Sequence, residues 1–112
     1  MPIPHRTERL ADTLLKEAAS LILFEAQDER IKRITLTRAT LTKDLRLLRL
    51  YYSAGDDQIR EEIEEGLKES RGFIRRGLAQ RVKLRYVPEV EFFFDETDEL
   101  RRKAEELFER IK

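Results

Sequence analysis

The chain of 112 residues contains no cysteine and no asparagine, and it has one methionine and one histidine. Without cysteine it forms neither a disulfide bond nor a reactive thiolate, which is compatible with a reducing cytoplasm. The histidine, His5, stands in a proline-containing segment at the start of the chain. No zinc-ligand spacing and no glycine-rich phosphate loop is present. We therefore predict that the protein is not an enzyme and binds neither a metal nor a cofactor.

Long hydrophobic segments are also missing. The longest apolar run, 21–24, is far shorter than the ~20 residues that a membrane-spanning helix needs, and the first residues lack the apolar centre of a signal peptide. Paired acids at 61–62 and 64–65 could suggest acid–base chemistry, but on a helix they indicate a solvated face. We expect a soluble, cytoplasmic protein with no membrane partner and no small-molecule substrate.

Charge is abundant but segregated along the chain. Formal net charge is zero although 41% of the residues are charged. Residues 30–43 and 71–87 carry basic side chains and no acid, whereas residues 56–69 are mainly acidic. Because the local field governs binding, the two basic segments indicate a polyanion partner. Carboxylates of the acidic segment could instead fold back onto them. A salt-bridged surface of a heat-adapted protein is a compatible second interpretation.

Hydrophobic periodicity predicts one α+β domain over residues 1–112, with a flexible lead at 1–6. The predicted order is α-β-β-α-α-β-α. The predicted elements are helix 7–24, strands 33–41 and 45–53, helices 57–70 and 72–80, a strand after Pro88, and a last helix that starts near Thr97.

The connections between these elements predict the sheet. Strands joined by the short 42–44 turn must be antiparallel, and a helical crossover makes the third strand parallel to the second. The result is a three-stranded mixed sheet with the helices packed on one face. The last helix should turn an apolar face inward: Leu100, Ala104, Leu107, Phe108 and Ile111. Alternation places Leu47, Tyr51 and Phe93 on the other face, where they could stack on bases or be ordinary exposed side chains.

The segment SRGFIRRGLAQRVKLRYVPEVEFFFD at 70–95 carries the most specific pattern. Its matching positions are 72–75, 84–89, Phe92 and Asp95, and an upstream block adds Asp28, Arg30, Ile31, Thr35, Thr37, 44–46 and 52–53. Together these blocks resemble the ribosome-binding factor A family over nearly the whole chain. The resemblance implies a type II KH-like domain. Ser70 and Gly72 occupy the position of the family's interhelical kink, although the family has alanine where this chain has Ser70.

The resemblance also implies a function. A member of this family is expected to be an assembly factor of the small (30S) ribosomal subunit that binds immature subunits through 16S rRNA, near the 5′ end and the neck. It would stabilise one rRNA conformation and catalyse no covalent step. A monomeric state and a role in cold adaptation are further expectations.

The candidate RNA-binding residues share a long basic side chain that can reach phosphates: Arg71, Arg75, Arg76, Arg81, Lys83, Arg85, Lys43, Arg46 and Arg38. Each could instead be a solvated or ion-paired surface residue. Two other functions stay open, namely a protein-interaction module that uses the acidic helix 57–70 and a general single-stranded RNA-binding KH domain. The latter would need a Gly-x-x-Gly loop, and only one of its glycines is present.

Overall fold

The structure is a computed structural model that describes residues 6–55 and 59–111. Residues 1–5 of the predicted lead and the first two residues of the predicted helix 57–70 lie outside these ranges. The elements run in the order α1 (Arg6–Phe24), a 3₁₀ turn (Ile31–Arg33), β1 (Ile34–Leu41), β2 (Leu47–Ala54), α2 (Arg60–Arg81), β3 (Glu89–Phe94) and α3 (Glu96–Ile111).

The three strands form one mixed sheet with β2 in the centre. β1 pairs with β2 in antiparallel fashion, with a bulge between Leu36 and Arg38, and β2 pairs with β3 in parallel. Leu50 of β2 lies opposite Ala39 on one side and Phe92 on the other. The predicted α+β class, the mixed sheet and the central second strand are therefore confirmed.

One core fills the space between the sheet and the two long helices. Leu48, Leu50 and Tyr52 point from β2 into this core, where all three are buried. Helix α1 contributes its apolar stripe because positions four and seven residues apart lie on one helix face. Helices α1 and α2 approach closely at Gly77, where an added Cβ would lie 2.6 Å from a methyl group of Leu21. Burial of these apolar side chains is the main force that holds the layers together.

The prediction of two helices between the second and third strands is wrong. Helix α2 is continuous from Arg60 to Arg81 and includes both Ser70 and Gly72. Its buried positions, Ile63, Leu67, Ile74 and Leu78, form one stripe that passes through this point without a change of face. A glycine inside a helix costs only about 1 kcal/mol, which the packing of that stripe outweighs. A bend of the axis at Ser70 stays a prediction.

The last helix starts at Glu96, near the predicted Thr97, but the inward apolar face predicted for it is wrong. Asp95 caps α3, since the backbone N–H of Asp98 donates to its carboxylate at 3.0 Å. The apolar side of α3 is also not part of the core: no residue of α3 is buried, and Leu107 and Phe108 are exposed. Helices α1 and α2 already cover the inner face of the sheet, and α3 contacts the domain at its edge, for example where Arg102 donates to the carbonyl of Ala54 at 3.2 Å.

Candidate nucleic-acid interface

The 42–46 turn and the 82–88 loop meet at one end of the sheet. The backbone N–H of Glu89 donates to the carbonyl of Arg46 at 2.8 Å, and Arg75 of α2 donates to the carbonyl of Val87 at 3.0 Å. These two bonds bring segments that are distant in sequence together. The predicted basic residues at this end, hereafter the basic end, are Lys43, Arg46, Arg75, Lys83 and Arg85.

The 42–46 turn is held by its own side chains. One carboxylate oxygen of Asp44 accepts from the hydroxyl of Thr42 at 2.6 Å and from the N–H of Arg46 at 3.0 Å. These bonds lower the pKa of Asp44, the Thr42 hydroxyl most of all. Leu45, between them, has a φ of 63°. A left-handed conformation costs a non-glycine residue about 1–2 kcal/mol, so the turn holds this leucine in place against strain.

The cationic side chains at the basic end have few carboxylate partners. Among the residues in the described ranges, no ion pair within 4.0 Å involves Lys43, Arg46, Lys83 or Arg85. The guanidinium of Arg46 attracts the carboxylate of Asp44 electrostatically, and the guanidinium of Arg85 lies 5.7 Å from the ring of its neighbour Tyr86. All are exposed. The positive field at this end is therefore available to an anion.

Helix α2 continues the basic surface. Arg71 and Arg75 are one turn apart and Arg76 follows, and all three are exposed. Arg75 has a long ion pair with Glu89 at 3.6 Å, and Arg71 donates to the carbonyl of Lys68 at 3.3 Å. Such exposed contacts are weak and easily exchanged for a phosphate.

A groove of about 500 Å³ between α2 and β3 adds a residue that sequence analysis missed. Lys68 and Arg71 line it from the helix, and Glu91 and Phe92 from the strand. Lys68 is surrounded by acids in the sequence, so the sequence pattern did not single it out as a candidate. In three dimensions it precedes Arg71 by three residues on the same side of the helix.

Arg81 differs from the other candidates because its guanidinium already has three side-chain partners. Its guanidinium donates to Glu17 at 3.1 Å, to Ser20 at 3.0 Å and to Glu25, so it connects the end of α2 to α1. The bond to Glu17, followed by that to Glu25, raises the pKa of Arg81. The carboxylates belong to Glu17 of α1 and to Glu25, the residue after its end, 64 and 56 residues away along the chain. The absence of acids nearby in sequence therefore gave no warning of this pairing.

Arg38 lies apart from the basic end, on the sheet face opposite the helices. Its guanidinium stacks 3.8 Å from the centre of the Tyr51 ring and lies 3.6 Å from Asp95. The Tyr51 ring in turn lies 5.6 Å from that of Phe93. The predicted outward direction of Tyr51 and Phe93 is thus correct. On this face Arg38 contacts Tyr51 and Asp95.

Several residues of the matched sequence pattern have structural contacts. Arg30 donates to Asp28 at 2.7 Å and to Glu69 of α2 at 2.7 Å, which fastens the connector after α1 to α2. The bond to Arg30 lowers the pKa of Asp28, and the bond to Asp28 raises that of Arg30. Gly66 permits this approach, because a Cβ there would lie 3.2 Å from Arg30.

Two further properties hold for the part of the chain that the structure describes. No helix in it is both long and apolar enough to cross a membrane. Within the same ranges, no group of three or more histidine, aspartate or glutamate side chains is arranged to hold a metal ion.

The fold and the basic end together define a small α+β domain with a segregated basic surface, the class in which polyanion-binding modules are found. Comparison with known proteins narrows this class. A model of the ribosome-binding factor A family matches residues 6–108. The chain belongs to the ribosome-binding factor A family.

Individual relatives agree with this assignment. The chain is 37% identical over 107 residues to ribosome-binding factor A of Desulfatibacillum aliphaticivorans, a match that covers 95% of this chain and 87% of the relative. The factor of Caldanaerobacter subterraneus is 38% identical over 109 residues, or 96% and 89% of the two chains.

Solved structures share the fold. The solution structure of a ribosome-binding factor A homologue from Thermotoga maritima matches with a TM-score of 0.71 at 30% identity, over 83% of this chain and 90% of that one. The Thermus thermophilus crystal structure gives 0.70 at 26% identity, over 80% and 96%. A model of the Thermus factor that was fitted into a cryo-electron microscopy map of its complex with the 30S subunit gives 0.63 at 25% identity, over 77% and 91%.

Proposed function

We propose that the protein is an assembly factor of the small ribosomal subunit that binds immature subunits through 16S rRNA. The observation that carries the proposal is a set of exposed basic side chains at the basic end and on α2, which few carboxylates oppose, in a member of a family with a relative fitted into a 30S complex. Phosphate contacts of this kind position a protein on RNA without reading its sequence.

The mechanism is preferential binding. Hydrogen bonds such as that from the N–H of Glu89 to the carbonyl of Arg46 set the spacing of the cations, so the protein fits one arrangement of rRNA phosphates better than others. A factor with higher affinity for one conformation shifts the population towards it without a covalent step. The protein acts as a single KH-like domain in the cytoplasm, where subunits assemble, and its implied role in cold adaptation stays a prediction.

The proposed phosphate contacts are Lys43, Arg46, Lys68, Arg71, Arg75, Arg76, Lys83 and Arg85. The proposal leaves Arg81 out because its guanidinium donates to Glu17, Ser20 and Glu25. Arg38 is a secondary candidate, since any rRNA at its position would have to compete with Asp95 and Tyr51.

A specific observation favours one rival function. Glu61, Glu62 and Glu65 on the first half of α2 are exposed and have no ion-pair partner among the residues of the described ranges. This acidic surface could bind a basic protein. Charge reversal on the same helix separates the two functions, because both surfaces are exposed and neither contributes to the core.

The test is co-sedimentation with immature and mature small subunits over a series of salt concentrations. The wild type should bind immature subunits, with affinity that falls by roughly 0.7–0.9 in log K per log salt for each phosphate contact. Combined Arg75→Glu and Arg76→Glu substitution should abolish binding. The matched control, Glu61→Lys with Glu62→Lys, should retain it.

The opposite ranking of the two variants would support the rival. Affinity that does not depend on salt, or equal binding to large subunits, would contradict the proposal. The expected monomeric state is checked by analytical ultracentrifugation, a relevant measurement because α3 exposes Leu107, Phe108 and Ile111.

A further inference from the structure

A cavity of about 260 Å³ lies between the N-terminal half of α1, the 42–46 turn and the 82–88 loop. Its wall is mostly apolar and includes Leu10, Leu14, Leu84 and Pro88, each at least half-buried. This volume is just under the roughly 300 Å³ at which pockets for whole small molecules begin. The cavity therefore suits one flat ring better than a complete nucleotide.

Two exposed side chains stand at the rim of this cavity. The Tyr86 ring is 74% exposed and lies beside the guanidinium of Arg85. Leu45 is 40% exposed, and the hydrogen-bonded turn around Asp44 keeps its backbone left-handed. Unstacked RNA bases are bound by aromatic rings and guanidinium planes of this kind. The strained leucine would add an apolar contact.

The surroundings of the cavity are basic. Lys43, Arg46 and Lys83 adjoin the residues that line it, and no ion pair of theirs is found within the described part of the chain. Asp44 is the one carboxylate among the lining residues. A carboxylate accepts from the amino group of a base, whereas uracil offers no such group. Charge and shape together point to RNA, not to the apolar side chain of a protein partner.

We propose that this cavity binds one unstacked base, with a preference for a base that carries an amino group, from a single-stranded segment of rRNA. The phosphates on either side of that base would lie on Lys43, Arg46 and Lys83. The inference rests on the proposed function. It adds one contact with a base to a surface whose other proposed contacts are with phosphates.

Two variants test the cavity without threatening the fold. Tyr86→Ala removes an exposed ring, and Leu45→Gly removes one wall while placing glycine at a φ of 63°, which glycine adopts without strain. Phe24→Ala is the matched control, because its ring is 77% exposed at the far end of α1. Tyr86→Phe, which keeps the ring, tests rescue.

The assay is binding to immature small subunits at several salt concentrations. Loss of one stacked base should weaken binding roughly 5- to 150-fold for Tyr86→Ala and leave the salt slope unchanged, because no phosphate contact is lost. Leu45→Gly should weaken binding in the same way, while Tyr86→Phe and Phe24→Ala should match the wild type. Arg46→Ala should instead reduce the slope by roughly one.

Base-specific chemical probing identifies the occupant. One adenine, cytosine or guanine of 16S rRNA should be protected by the wild type and reactive with Tyr86→Ala. Wild-type affinity of both cavity variants, or a loss of affinity without any such base, would overturn the inference while leaving the proposed function intact. Failure of the wild type to bind subunits would overturn both.

Discussion

Replacing Asp95 with alanine should destabilise the fold, because this buried carboxylate connects three elements. Asp95 is only 5% exposed. Its carboxylate accepts from the hydroxyl of Thr37 at 2.6 Å and from the N–H of Asp98 at 3.0 Å, and it faces Arg38 at 3.6 Å. One side chain therefore connects β1, the end of β3 and the first turn of α3.

The magnitude follows from the groups that lose a partner. Loss of a helix cap costs about 0.5–2 kcal/mol, and loss of a hydrogen bond to a charged group costs about 1.5–3 kcal/mol. Because the Thr37 hydroxyl is only partly buried, water can replace part of its bond. We expect Asp95→Ala to lower the free energy of unfolding by about 2–4 kcal/mol, a large part of the ~5–15 kcal/mol typical of a small domain.

The effect should depend on pH. The bond from Thr37, supported by the N–H of Asp98 and by Arg38, lowers the pKa of Asp95 below its ordinary value of 3.8. The unfolded chain therefore binds this proton more readily than the folded one, so the carboxylate stabilises the fold fully above that value. Its contribution is lost as the pH falls from 3.8 through the folded-state pKa.

Urea unfolding of the wild type and Asp95→Ala at pH 7 and at low pH measures both effects. Asp95→Asn is the control, since asparagine also caps helices but carries no charge. It should cost less than alanine at pH 7. The reasoning is refuted if alanine costs under about 0.5 kcal/mol, or if the difference between the variant and the wild type stays constant as Asp95 titrates. A double-mutant cycle with Thr37→Val isolates the Thr37–Asp95 bond.

Two further predictions concern the long helix α2. Gly77→Ala should destabilise the protein by about 1–3 kcal/mol, because the new Cβ would lie 2.6 Å from buried Leu21. In the matched variant Gly72→Ala, the new Cβ meets only the movable end of Arg76 at 3.1 Å, so this change should stabilise the protein by about 0.5–1 kcal/mol. Thermal unfolding checks both. Arg81→Gln should lower stability yet keep affinity for immature subunits within about twofold and leave the salt slope unchanged.

Each of these has a clear contrary outcome. Equal stability of the Gly77 and Gly72 variants would mean that the helix–helix contact yields without cost. A reduced salt slope for Arg81→Gln would return that residue to the RNA-binding set. If Gly72→Ala stabilises the protein but weakens subunit binding, the predicted kink at this position has a functional role.

Local patterns predicted most of the secondary structure, and for physical reasons. Alternation in 90–94 reflects the twofold period of a strand, and the repeat of Leu14, Ala18 and Leu21 reflects the helical period. Each period places the apolar side chains on one face, and burial of that face stabilises the predicted element. The break at Ser70–Gly72 was mispredicted, since a glycine and a serine weaken a helix by far less than the packing of Ile63, Leu67 and Ile74 strengthens it.

The basic surface was predictable only in part. The absence of acids between Arg71 and Val87 is a property of the sequence, but the partners of a guanidinium are set by whatever lies nearby in space. Within the described residues, Lys83 and Arg85 have no ion-pair partner, whereas Arg81 pairs with Glu17 of α1 and with Glu25 just after it. Lys68 was overlooked because acids flank it in sequence; in the structure it lines the groove between α2 and β3 together with Arg71 and with Glu64.

By itself, the sequence determined the α+β class, the strand order and the family, because hydrophobic period, turn length and residue pattern are local or additive along the chain. The tertiary structure alone decided which cations are free, that Asp95 joins β1 to α3, and that the apolar side of α3 stays outside the core. These outcomes depend on distances between residues tens of positions apart. Only the packing of α1 and α2 on the sheet determines those distances.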